Sequence, residues 1–158
     1  MKKCVLVLLT FVPFIVGHIV NRSISIPVIG SIVFYVLPLL TTAFWFYLGR
    51  QYARSTWKTI PALLIGNATG IISLLIFLWQ YLLETDETVN LTLIGIAQMY
   101  SNAAPTFLLA RLAVLFETQP NYIGKTSMTA LNVISFAYMI AVFLIGFIWE
   151  KKTKNNTN

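Results

Sequence analysis

Residues 59–83 read TIPALLIGNATGIISLLIFLWQYLL, without one charged side chain. Arg50, Arg54 and Lys58 stand on one flank and Glu84, Asp86 and Glu87 on the other. A helix needs roughly 20 apolar residues to cross the hydrocarbon core of a bilayer. This stretch supplies them. Its residues are continuously apolar rather than alternating, which argues against a β-barrel strand. It reads as a transmembrane helix with a basic loop before it and an acidic loop after it. Short basic loops stay on the cytoplasmic side, so the loop with Arg50, Arg54 and Lys58 is expected inside and the acidic one outside.

Four further runs follow the same logic. With 59–83 they give expected helices over about 4–20, 29–48, 59–83, 91–116 and 127–149. The first run follows Lys2 and Lys3, as in a signal peptide. Residues Gly17, His18, Ile19, Val20, Asn21 and Arg22 offer no A-x-A cleavage site, so the run is expected to stay as a short spanning helix bent near Pro13. Trp45, Tyr47, Tyr52 and Trp57 near the basic loop, and Trp79 and Tyr81 near the acidic one, read as interfacial aromatic belts.

The whole chain agrees with this reading. Of its 158 residues, 58% are hydrophobic and 10% charged, against about 25% charged in soluble domains. An ordinary soluble globule, a disordered chain and a disulfide scaffold are excluded. The expected fold is all-α, a polytopic integral membrane helical bundle of about five transmembrane helices. It forms one domain over 1–150, with a polar, disordered tail over 151–158 and no extramembrane domain.

Charge bookkeeping leaves one alternative. Five spans with the N-terminus inside put Lys2, Lys3, Arg50, Arg54, Lys58, Arg111 and Lys125 inside, and Arg22, Lys151, Lys152 and Lys154 outside. Four spans plus a re-entrant fourth segment bring the tail lysines inside and send Arg111 and Lys125 out, a better sorting. Re-entrant backbone must be buried in protein, which so small a chain barely supplies. Five spans are therefore expected.

The net charge of +6 is absorbed by this topology, so no basic face remains for nucleic acid. With Cys4 the only cysteine and His18 the only histidine, neither an intrachain disulfide nor a single-chain zinc site is expected. No cofactor is expected either. All five acids, Glu84, Asp86, Glu87, Glu117 and Glu150, lie in loops or at helix ends, which argues against proton-coupled carriers and intramembrane aspartyl proteases. G-x-S-x-G, H-E-x-x-H, P-loop and dinucleotide motifs are missing. The chain reads as non-enzymatic.

Two polar patterns remain. Ala62, Gly66 and Gly70 place small residues at i, i+4 and i+8, with Asn67 beside them. Such a face lets a second helix approach closely. It is expected to pack inside the chain, or else against another membrane protein or a second copy. Gln98, Asn102 and Thr106 form a polar stripe on the fourth segment, and Pro105 frees the Ser101 carbonyl and kinks the helix there. That helix is the expected place for a ligand or polar track. His18 and Arg111 are further candidates, against plain roles as an interfacial histidine and a snorkelling anchor.

Two functions compete. The first is an accessory or regulatory subunit of a cell membrane that works by binding other proteins. The second is an oligomeric transporter or channel component for a small or amphipathic molecule. The Lys, Asn and Ile usage points to a bacterial source, with the N-terminus cytoplasmic.

Overall fold

The computed structural model describes residues 2–55, 57–117 and 124–156. Every regular element among them is helical.

The first segment is α1 (Lys3–Leu9) and α2 (Val12–Ser23). Where a bend was expected at Pro13, the helix is interrupted just ahead of it, and Lys3–Ser23 still counts as one span. Pro13 has no N–H for the Leu9 carbonyl, so the helical ladder lapses there. Thr10 N–H instead bonds the Val7 carbonyl at 3.1 Å, and Phe14 N–H the Phe11 carbonyl at 3.1 Å. The Thr10 carbonyl left free by this lapse accepts the Thr69 hydroxyl at 2.9 Å from another helix.

The second segment is α3 (Ile29–Arg54). It is entered through Val28, at φ 64° and ψ −58°, with Ile29 N–H donating to the Pro27 carbonyl at 2.7 Å. This is a γ-turn of the positive-φ kind, strained for a β-branched residue.

The third segment is α4 (Thr59–Gly66) and α5 (Ala68–Leu78), prolonged by a π turn (Trp79–Leu83). It bends by 54° at Asn67. Asn67, beside the small-residue face, turns its Nδ2 back to the Leu63 carbonyl of its own helix at 2.9 Å. Gln80 in the π turn is buried. Its Oε1 accepts the Asn90 N–H at 2.8 Å. Asn90 in turn caps the next helix, accepting from Thr92 N–H at 3.0 Å and Leu93 N–H at 3.1 Å.

The fourth segment departs most from expectation. In place of one helix over 91–116 there are α6 (Leu91–Asn102), α7 (Thr106–Ala113) and a 3-10 turn (Val114–Phe116), with a bend of 108° between the two arms. Proline explains the break. Pro105 cannot donate to Ser101, and the residue before a proline avoids the helical region. Pro105 takes φ −71° and ψ 69°, and Thr106 N–H reaches the Ala104 carbonyl at 2.7 Å. These are the marks of an inverse γ-turn. The last helix, α8 (Lys125–Asn156), runs through Lys151, Lys152 and Lys154, where a disordered tail was expected. Cations at a helix C-terminus suit its dipole, and Lys151 is tied to the Thr59 hydroxyl at 2.7 Å.

Contacts at the helix ends define two poles. At one pole Lys3 lies 5.7 Å from the Trp57 ring centre, Glu150 pairs with Arg50 and Arg54, and Lys151 meets Thr59. At the other, Asn90 meets Gln80, Lys125 lies 6.0 Å from the Tyr81 ring centre, and Leu82, Phe116 and Lys125 border one cavity. The fourth segment thus leaves from the second pole and returns to it. Four segments run from pole to pole, and α6–α7 is a re-entrant hairpin. This is the geometry of the alternative weighed from the charges, while by length and composition three to five segments qualify as spans. The objection to it was burial, and the bundle supplies that: Ala103 and Ala104 at the hairpin tip are 0% exposed. The tail lysines consequently share a pole with Arg50 and Arg54. Arg111, expected to snorkel toward that pole, rides on the arm that returns to the other one.

The core follows from glycines and aromatic rings. A Cβ on Gly49 would lie 2.1 Å from the Phe143 carbonyl oxygen, and a Cβ on Gly146 2.1 Å from that of Phe46. The backbones of α3 and α8 therefore touch through reciprocal glycines. Trp45 and Tyr52, expected at the membrane interface, are instead 0% exposed and pack on Phe143 beside that seam. Lys3–Ser23, Ile29–Arg54 and Lys125–Lys154 are each long and apolar enough to cross a membrane, and each bent pair qualifies as a whole. The chain is an all-α helical bundle suited to a membrane.

Candidate functional site

Polar side chains gather around the hairpin tip. The Ser101 hydroxyl lies 2.7 Å from Asn132 Oδ1 on α8 and 2.9 Å from the Gln98 carbonyl. Asn132 Nδ2 donates to the Met128 carbonyl at 2.9 Å, filling the helical acceptor one turn back. The Ser73 hydroxyl on α5 donates to the Ala97 carbonyl on α6. Ser73, Ser101 and Asn132 are all buried. In an apolar medium such bonds between helices are worth about 0.6 kcal/mol on average and up to about 1.7. Together they fasten both neighbours, α5 and α8, to the first arm of the hairpin.

Between these groups lies a cavity of ≈ 10 Å³, lined by Gly70, Ser73, Tyr100, Ser101, Asn132 and Phe136 among others. That is about the room one water needs. The buried Tyr100 hydroxyl has no hydrogen-bond partner among the described residues. Its ring sits where Gly70 has no side chain: a Cβ there would come 2.7 Å from the Tyr100 oxygen.

The expected polar stripe is divided by the bend. Gln98 and Asn102 stay on α6, whereas Thr106 opens α7 beyond Pro105. Asn102 Nδ2 donates to Asn21 Oδ1 on α2 at 2.7 Å, a contact at the edge of the cluster. Pro105 is buried, as the hinge of the hairpin requires. His18 and Arg111 are exposed, on α2 and α7. The structure does not bring them to the tip. Beside His18, Gly17 presses on α6, where a Cβ would meet the Met99 carbonyl oxygen at 1.7 Å.

The small-residue face is occupied from within. Ala62, Gly66 and Gly70 are buried. A Cβ on Gly66 would strike the Phe143 ring at 2.4 Å, and one on Gly70 the Tyr100 ring at 2.5 Å. This is the intramolecular packing expected of the pattern. With those two rings seated on it, the face has no room for a helix of another chain.

Sequence reasoning passed over Asn132, Ser135, Ser73 and Thr69. The signal for Asn132 was present: it is the one carboxamide within the apolar run 127–149, and polar groups at membrane depth mark sites. Ser73 and Thr69 carry no such signal, since a hydroxyl in a helix ordinarily bonds its own preceding turn. Among the described residues no group of three or more His, Cys, Asp and Glu is placed to hold a metal ion. Set against known protein families, curated proteins and solved structures, the chain matches none.

Proposed function

We propose that this chain is a small multi-pass cell-membrane protein of non-enzymatic type, an accessory or regulatory subunit that acts by associating with another membrane protein. The observation that supports this reading is the state of the hairpin tip. Ser101, Asn102 and Ser73 bond between the hairpin and its flanking helices, and the space that Ser73, Ser101 and Tyr100 help enclose is ≈ 10 Å³, whereas small-molecule sites run to hundreds of Å³. The polar centre acts as a clasp that holds a fixed shape. Association then runs through surfaces other than the Gly66 and Gly70 face. On this reading the pole with Lys2, Lys3, Arg50, Arg54 and Lys58 is cytoplasmic by the positive-inside rule, and the source is bacterial.

Native mass spectrometry of the tagged chain, extracted gently from its own membrane, tests the proposal. A mass of one chain plus a different polypeptide supports it. A homo-oligomer carrying a small molecule contradicts it and favours transport.

The transport reading keeps one observation of its own. Transporters often bind their cargo where a helix is broken inside the bundle, and Asn102 sits at such a break. That reading expects Asn102→Leu to abolish flux in vesicles while the protein still inserts. Unchanged flux counts against it.

A further inference from the structure

The two poles differ sharply in charge. Lys2, Lys3, Arg50, Arg54, Lys58, Lys151, Lys152 and Lys154 gather at one, where Glu150 is the one acid among the described residues. Arg22, Arg111 and Lys125 lie toward the other, with Glu84, Asp86, Glu87 and Glu117. Glu150 is already committed: its two oxygens take Arg50 Nε at 2.8 Å and Arg54 Nε at 2.6 Å. Among the described residues, Lys3, Lys58 and Lys151 of that pole pair with no acid.

Two of them converge from opposite ends of the chain on one short stretch, Trp57 to Thr59, which carries a third. Lys3, from the start of α1, holds its ammonium 5.7 Å from the Trp57 ring centre. Lys58 lies between Trp57 and Thr59 in the chain. Lys151, from the end of α8, donates to the Thr59 hydroxyl at 2.7 Å. All three lysines and Thr59 are exposed, and Trp57 is half-buried. Next to them, Ile60 and Leu64 on α4 and Ile148 and Trp149 on α8 turn large apolar side chains outward. Exposed cations with a hydroxyl, beside exposed apolar side chains, suit a phosphate joined to acyl chains.

We propose that Lys3, Lys58 and Lys151, with the Thr59 hydroxyl, form a site for the headgroup phosphate of an anionic phospholipid, whose chains lie against Ile60, Leu64, Ile148 and Trp149. The inference rests on the chain being embedded in a membrane and not on its role as an accessory subunit. Basic clusters at the ends of transmembrane helices attract anionic lipids, each cation adding about fivefold to affinity. Arg50 and Arg54 contribute less, because Glu150 neutralises part of their charge.

The test is native mass spectrometry of the full chain in detergent micelles, titrated with phosphatidylglycerol or phosphatidylcholine. The expected result is retention of phosphatidylglycerol at concentrations at least tenfold below those needed for phosphatidylcholine. The triple variant Lys3→Gln, Lys58→Gln, Lys151→Gln loses about a hundredfold in phosphatidylglycerol affinity, while Arg22→Gln with Arg111→Gln at the far pole leaves it unchanged. Should the triple variant not fold, Lys3→Gln and Lys58→Gln singly each lower the affinity about fivefold. Equal retention of the two lipids overturns the proposal, as does undiminished binding by the lysine variants. Displacement of phosphatidylglycerol by millimolar inorganic phosphate overturns the lipid assignment in favour of a free-phosphate site.

Discussion

Replacing Gly49 with alanine is the sharpest test of the packing. The added Cβ would stand 2.1 Å from the Phe143 carbonyl oxygen and 3.0 Å from the carbonyl carbon. Real carbon–oxygen contacts need about 3.2 Å or more, so α3 and α8 must part by roughly 1 Å. The obstacle is backbone in the middle of a 32-residue helix, and no side-chain rotation relieves it. Overpacking of this kind costs about 1–3 kcal/mol. A gap approaching 1 Å also forfeits a quarter to a half of the dispersion energy of the separated contacts, which selects the upper part of that range. Against it stands a gain of about 1 kcal/mol, because alanine favours the helix over glycine. The expected net loss is about 1–2 kcal/mol. Gly146→Ala carries the same load against Phe46, and the double variant loses less than the sum, since the first substitution has already opened the seam. Gly95→Ala is the internal standard. A Cβ there meets nothing within 4 Å, so only the propensity term acts and the variant gains up to about 1 kcal/mol. Reversible unfolding in mixed micelles, titrated with a denaturing detergent, measures all four. If Gly49→Ala is as stable as Gly95→Ala, the reasoning fails.

Two further outcomes follow from other elements. Glu150→Gln lowers the unfolding midpoint more than Arg50→Gln or Arg54→Gln, because one carboxylate serves two guanidiniums; the deficit shrinks in high salt, which screens the lost pairs, and a salt-independent deficit contradicts the pairing. Val28→Gly raises stability by about 1 kcal/mol, because glycine accepts the φ of 64° that a β-branched residue resists; a loss of stability, read by the same titration, shows that the turn is unstrained.

The helical class, the segment positions, the lapse near Pro13 and the bend near Pro105 were legible, because each depends on local rules: run length, charge flanks and a missing N–H. What proved illegible was how far a bend goes. Pro105 announced a kink, but a kinked crossing and a returning hairpin differ only in what surrounds the tip. That depends on the bundle closing over Ala103 and Ala104, which are 0% exposed. The aromatic residues were misread for a similar reason. Trp45 and Tyr47 flank the same Phe46 in sequence, yet Trp45 is wholly buried and Tyr47 47% exposed. Their faces on α3 are separated by the position of Gly49 and its seam with α8. At the hairpin tip, Asn102 and Pro105 had been singled out from their types and spacing. Asn132 was overlooked because a single amide in an apolar run forms no pattern by itself. Ser101, seen only as a freed carbonyl, acts instead through its hydroxyl.

The most direct measurement is the side of the membrane on which each loop lies. In a Cys4→Ser background, single cysteines at Thr88, Thr126, Lys58 and Lys152 are probed with a membrane-impermeant thiol reagent in sealed vesicles of known orientation. The account predicts that Thr88→Cys and Thr126→Cys label from one face, and Lys58→Cys and Lys152→Cys from the other. Labelling of Thr126→Cys from the same face as Lys58→Cys would mean that the fourth segment crosses, and the re-entrant hairpin would be lost.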